Sequence, residues 1–161
     1  MKNSRLNRNS RIWIYTASRK LNTDEVNWIE KKGLEFTDSW QTHGKPLEAT
    51  IEVVYNRFIV VAVDDEWVGP SGCSIDSSIA FIKEMESSLQ IDLLDKLNIA
   101  YRNRNGAIDV VKLPEFQTLI DQGEIKSDTL VFNNLIQKLN QLDDEWEVEL
   151  DNSWHKQLLP A

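Results

Sequence analysis

Ala49-Thr50-Ile51-Glu52-Val53-Val54-Tyr55-Asn56-Arg57-Phe58-Ile59-Val60-Val61-Ala62-Val63 is the stretch that decides the fold. Ala49, Ile51, Val53 and Tyr55 alternate with Thr50, Glu52 and Val54, the period of a strand with one wet face. Phe58 to Val63 is continuously apolar, as for a more central strand. Only Asn56 and its neighbours separate the two runs, so a hairpin is the natural connection.

Toward the N-terminus, Arg11-Ile12-Trp13-Ile14-Tyr15-Thr16 is rich in β-branched and aromatic residues and reads as a first strand. Asn22-Thr23-Asp24-Glu25 opens a helix, with Asn22 or Thr23 as cap and acids in the first turn. Val26, Ile29, Gly33, Phe36 and Trp40 recur at three- and four-residue steps and give it one buried face. His43-Gly44-Lys45-Pro46 breaks that helix. Beyond the hairpin, a loop runs from Asp64 to Cys73, and Ser74 or Asp76 caps a second helix carried by Ile79, Ile82, Met85 and Leu89. Asn98-Ile99-Ala100-Tyr101-Arg102 reads as a fourth strand.

The order β-α-β-β-α-β predicts an α+β chain with a ferredoxin-like core. Three segments follow: a flexible basic arm over residues 1–10, a core domain over 11–102, and a C-terminal β/α extension packed on the core over 107–161. Asn103-Arg104-Asn105-Gly106 is the turn cluster at the boundary. In the extension, residues 108–112 and 129–132 read as strands. A short helix lies between Pro114 and Gly123, and Leu135, Ile136, Leu139 and Leu142 mark another. Ser153-Trp154-His155 has no assignable structure, and there is no internal repeat.

With 41% apolar residues and six tryptophans among 161 residues, the chain has the material for a real core. Trp28 and Trp40 read as core anchors; Trp67, Trp146 and Trp154 serve either as core or as partner contacts. A net charge of −8 disfavours nucleic-acid binding by the acidic body. The charge is uneven. Lys2, Arg5, Arg8 and Arg11 are the only charged residues of the first eleven, whereas Asp143, Asp144, Glu145, Glu147, Glu149 and Asp151 form an acidic run. The arm is either frayed or a contact to RNA or an acidic partner. No stretch approaches the ~20 apolar residues of a membrane span, and a single cysteine fits a reducing cytoplasm.

The element order also makes a geometric prediction. The second strand begins, and the third ends, at the sheet edge where the fourth strand finishes. That brings together the His43 loop, the Cys73 loop, and Tyr101, Arg102 and Arg104. Cys73, the only cysteine, stands in Ser71-Gly72-Cys73-Ser74-Ile75-Asp76 at a helix entry, where the dipole favours thiolate. In a catalytic reading Cys73 attacks, His43 moves the proton, and Asp64 or Asp65 orients the imidazole. Ser71, Gly72 and Ser74 offer backbone N–H groups to a carboxylate, phosphate or oxyanion, and Arg102 or Arg104 holds an anionic group. Against this, a lone cysteine serves more often as a small buried hydrophobe, His43-Gly44 as a helix stop, and the arginines as partners of the acidic surface.

Other chemistry is thinly represented. Gly69-Pro70-Ser71-Gly72-Cys73-Ser74 lacks the lysine and order of a phosphate-binding loop. There is no Gly-x-Ser-x-Gly elbow and no GxGxxG, and two histidines with one cysteine disfavour a zinc site. No metal or cofactor is expected.

Trp40-Gln41-Thr42-His43-Gly44, Arg57-Phe58-Ile59-Val60, Ser71-Gly72-Cys73-Ser74-Ile75-Asp76, Asp128-Thr129-Leu130-Val131-Phe132-Asn133 and Ser153-Trp154-His155 together resemble a group of short uncharacterised bacterial proteins. The resemblance spans about residues 11–156. Such proteins are often labelled "ABC transporter ATPase", a mechanism that a chain without a lysine-bearing phosphate loop does not support. The resemblance implies membership and no activity. Leu119 to Val131 is also similar to the helix-Gly-strand core of a small peptide-binding module.

The leading functional expectation is a cytoplasmic binding or interaction module for an unknown protein or small anionic ligand, sited at the Cys73 and His43 loops. A cysteine-dependent acyl- or thiol-transfer enzyme or hydrolase is the alternative. An RNA- or ribosome-associated accessory protein using the basic arm is a second.

Overall fold

The computed structural model describes residues 6–65 and 69–160. Lys2 and Arg5 of the basic arm, and Trp67, lie outside the described residues. The chain is mixed α+β and divides into two compact units, residues 1–94 with 137–140 and residues 95–136 with 141–161.

The first unit holds strand β1 (Arg11–Thr16), helix α1 (Thr23–Ser39), the two-residue strands β2 (Gln41–Thr42) and β3 (Lys45–Pro46), strands β4 (Glu48–Val54) and β5 (Phe58–Asp64), and helix α2 (Gly72–Leu89). β5 lies at the centre of an antiparallel sheet ordered β1-β5-β4. Its register runs Arg11↔Val63 to Thr16↔Phe58 on one side and Glu48↔Asp64 to Val54↔Phe58 on the other. Phe58 to Val63 are all buried, as an apolar run flanked on both edges requires. Tyr55 and Asn56 both take positive φ, which turns β4 into β5.

Ile59, Val61, Val63, Ala49 and Ile51 form one core with Ile29 of α1 and with Phe81, Ile82 and Met85 of α2. α1 starts on a capping box: the Glu25 amide donates to Asn22 Oδ1 and the Asn22 amide to Glu25 Oε1. The Arg19 guanidinium forks onto the same carboxylate at 2.9 and 2.7 Å, and with the Asn22 amide holds it down to about 2. Gly33 is the point where α1 crosses β4. A Cβ there would lie 2.8 Å from Ile51 Cβ and 2.9 Å from its Cγ2.

The second unit holds β6 (Asn98–Arg102), β7 (Ile108–Lys112), α3 (Leu113–Asp121), β8 (Leu130–Phe132) and β9 (Glu147–Glu149), with a sheet ordered β7-β6-β8-β9. Ile99, Tyr101, Phe116, Ile120, Ile125, Val131 and Leu150 form its core. Pro114 sits in the first turn of α3 and Gly123, at φ 75°, just past its end.

Five expectations change here. The strand at 98–102 does not join β1 to complete a four-stranded ferredoxin-like sheet; it pairs with β7 and β8 in the second unit. The place beside β1 is taken at Arg11 and Ile12 by residues 137 and 138, through the Ile12 amide to Gln137 O and an Arg11–Lys138 bridge. The division accordingly falls after Leu94, upstream of the Asn103–Gly106 turn.

Residues 6–10 are pinned rather than loose. Leu6 and Ser10 are buried, and the Leu139 and Asn140 amides donate to Ser10 O and Arg8 O. Those same bonds explain why 135–142 is no α-helix. The Leu139 and Asn140 amides go to the N-terminal segment and those of Leu135 and Ile136 to Asn133, leaving only a 3-10 turn at Leu139–Leu142. Ser153-Trp154-His155 is ordered as well, in a 3-10 turn over Trp154–Leu158. His155 is fully buried between Trp154, stacked at 3.9 Å, and Phe116, with Ser153 Oγ 2.7 Å from Nδ1.

Two predictions follow from this packing. Gly33→Ala gains about 1 kcal/mol of helix propensity but forces a methyl onto Ile51 Cβ, which is fixed to a strand backbone and cannot swing away. Overpacking of that kind costs about 1–3 kcal/mol, so urea titration is expected to show net destabilisation. Burial also pushes the His155 pKa down to about 4 from 6.5. The unfolded chain then binds the extra proton between those values. Stability is therefore complete above pH 6.5 and falls as pH drops toward 4, with a slope approaching about 1.4 kcal/mol per pH unit. A His155→Phe variant is expected to lose that slope when the two pH–stability curves are compared.

Candidate functional site

The site is built on one end of the first sheet. Glu48 at the start of β4 and Asp64 at the end of β5 are register partners, so the segment before β4 and the segment after β5 leave the same edge. β2 and β3 form a small hairpin there, closed by the Leu47 amide donating to Trp40 O and by the pairs Gln41↔Pro46 and Thr42↔Lys45. His43 and Gly44 are its two-residue tip, at φ 50° and 77°. Two successive positive φ values mark a primed turn, which suits a two-residue hairpin. His43-Gly44 is thus a hairpin tip and not the stop of α1, which ends at Ser39 with Trp40 as its cap.

A buried indole ties this hairpin to the start of α2. Trp40 Nε1 donates to Ser74 O at 2.9 Å, and β2 touches α2. Phe36 stacks on Phe81 at 5.0 Å and tilts against Trp40 at 5.1 Å, so an aromatic cluster backs the hydrogen bond.

The start of α2 is capped by Ser71, not by Ser74 or Asp76. The Ser74 amide donates to Ser71 Oγ, and the Ser71 amide to Ser74 Oγ, which in turn donates to Ser71 O. Ser71 precedes the helix and Ser74 is its third residue, so the two hydroxyls serve each other. The Ser71 and Ser74 amides are consumed in this box. The amides at the first two helical positions, Gly72 and Cys73, are the ones a helix leaves without an internal acceptor. Space beside Gly72 is open, and Cys73 is a free, exposed thiol. A small buried hydrophobe it is not.

The expected residues fall into two groups. His43, Asp64, Ser71, Gly72, Cys73 and Ser74 all belong to the first unit, as does Lys45, which like His43 is exposed. Among the described residues, the Cys73 thiol and the His43 ring make no hydrogen bond to each other or to Asp64, so no relay of the three is formed. The primed turn holds His43 out in solvent instead of against the helix.

Arg102 and Arg104 belong to the second unit, because their strand pairs with β7 and β8. Arg102 donates from Nη2 and Nε to Glu147 Oε1 at 2.7 and 3.2 Å, and from Nη1 to Gly106 O. Arg104 pairs with Glu124 at 3.0 Å. Both cations meet acids of the chain itself, so neither is an open receptor for an anion.

Reading the residues alone passed over Trp40 as the tie between hairpin and helix, and passed over Lys45. The Thr-His-Gly-Lys order, with glycine at the second tip position, is the signal that marks the hairpin. Among the described residues, no three His, Cys, Asp or Glu side chains are grouped to hold a metal ion, and no helix is long and apolar enough to cross a membrane. Comparison with family models, curated proteins and solved structures finds no match.

The clamp makes a local prediction. Trp40→Phe keeps the ring stacking but removes the indole donor, at a cost of about 1 kcal/mol. Amide exchange is expected to accelerate in residues 41–45 more than in β5. Equal protection of the hairpin in both proteins would show that the indole bond does not hold it.

Proposed function

We propose that the protein is a cytoplasmic binding or interaction module that receives an anionic group of a partner at the hairpin tip and the start of α2. The observation that carries this reading is the Trp40–Ser74 hydrogen bond. It fixes a hairpin with His43 at its tip and Lys45 just after it to a helix start whose Gly72 and Cys73 amides are the uncommitted pair. Helix starts favour carboxylates and phosphates through those amides and the aligned peptide dipoles, and Lys45 adds a positive charge. A free, exposed thiol at this position is compatible with a reducing compartment. The likeness to short bacterial proteins that share the Ser-Gly-Cys-Ser-Ile-Asp segment belongs to the same proposal and adds no activity to it.

A cysteine-dependent transferase or hydrolase is the second reading, favoured by the exposure of Cys73 at a helix start. It needs a base within reach of the thiol and an oxyanion donor other than the Ser74 amide. The binding reading needs neither.

The test is capture from lysate on immobilised protein in three forms: unmodified, carbamidomethylated at Cys73, and His43→Ala. Cys73 is exposed, so alkylation is expected to go to completion without denaturant. The binding reading expects one species held by the unmodified protein and lost from both altered forms. The same species retained by all three would overturn it.

A further inference from the structure

We propose that a depression in the second unit, walled by Trp154 and Val148 and rimmed by Asp144 and Glu145, receives a lysine or arginine side chain of a partner polypeptide together with an aliphatic neighbour. The depression encloses about 420 Å³, and all of its lining residues belong to that unit. Volumes of this order suit a few side chains.

Its walls are held in place. Trp154 packs on the second core and stacks on His155, and Val148 lies in β9 opposite Val131. The rim is fixed by backbone bonds, with the Glu145 amide donating to Gln141 O and the Asn133 amide to Trp146 O. Leu135, on the edge, is 67% exposed, and its amide donates to Asn133 Oδ1. An aliphatic side chain left this far in water beside an aromatic wall gains by being covered.

Charge selects the occupant. The lining includes Asp144 and Glu145 and no lysine or arginine. Both acids are exposed, and among the described residues neither is in an ion pair. Arg102 and Arg104 of the same unit are engaged with Glu147 and Glu124, and Lys156, two residues past Trp154, pairs with Asp151. An apolar wall ending in uncommitted carboxylates matches a long aliphatic stem that ends in a cation, and Leu135 matches an aliphatic residue beside it. Asn152 adds a side-chain amide for the backbone of the bound peptide. This surface is independent of the hairpin and helix start of the first unit.

The test is nuclear magnetic resonance titration of the whole chain with acetyl-Leu-Arg-Leu-amide. Controls are acetyl-Leu-Gln-Leu-amide and butylguanidinium, a free guanidinium on an alkyl stem. Saturable shifts are expected at the Trp154 indole and at the amides of residues 144–148 with the arginine peptide. Asp144→Asn combined with Glu145→Gln is expected to weaken binding at least about fivefold. Both positions are exposed, and an unchanged melting temperature verifies that the fold is intact. Trp154→Phe assigns the indole resonance. No shift up to about 10 mM, an equal response to the glutamine peptide, undiminished binding by the double variant, or butylguanidinium binding as tightly as the peptide would each overturn the proposal.

Discussion

The first unit depends on β5 being satisfied on every side. Its backbone is hydrogen-bonded on both edges, to β1 and β4, and its side chains from Phe58 to Val63 are buried on both faces. A strand in that situation tolerates no register error, because a one-residue slip exchanges the residues of the two faces at once. The register fixed along β5 sets Glu48 opposite Asp64. That pairing brings the hairpin and the start of α2 to one edge, where Trp40 joins them. A chemical arrangement about thirty residues wide thus rests on seven strand residues.

Much of this was legible because local and tertiary signals agree. The alternation at 49–55, the apolar run at 58–63 and the three- and four-residue steps of α1 each favour a single structure, and Gly33 lies on the expected face because nothing larger fits against Ile51. What failed was pairing over long separations. The 98–102 segment reads as a half-buried strand whichever sheet it joins, and its five residues carry no mark of their partner. The order β-α-β-β-α-β therefore suggested a closure beside β1 that is occupied, in part, by residues 137 and 138. Those residues, Gln137 and Lys138, have no strand signal at all. Likewise, Leu135 to Leu142 has helical spacing, yet the Leu139 and Asn140 amides find acceptors in the N-terminal segment. Glu147-Val148-Glu149 hides a strand inside an acidic run.

The candidate site shows the same division. A helix entry at Ser71–Ser74 was readable from small residues before an apolar periodic stretch. The choice of Ser71 as cap was not, since three residues in six are able to cap. The consequence is chemical: the amide most natural for an oxyanion donor is already bonded. Arg102 and Arg104 illustrate the cost of the topological error. Placed in the second unit, with Glu147 and Glu124 against them, they stabilise that unit by an amount of order 1 kcal/mol or less each and attract nothing from outside.

The discontinuity of the first unit bears on how the chain is made. Synthesis proceeds from the N-terminus, and β1, β4, β5 and both long helices are complete by residue 89. The pieces that pin residues 8–12 arrive only with 137–140, after most of the intervening unit has been translated. For that interval a nascent chain on the ribosome carries the Arg11–Ile12 end of β1 without the partners at 137 and 138, the kind of border that recruits strands from other chains. Elongation time across roughly fifty residues, rather than any property of the finished protein, then sets how long that border stays open.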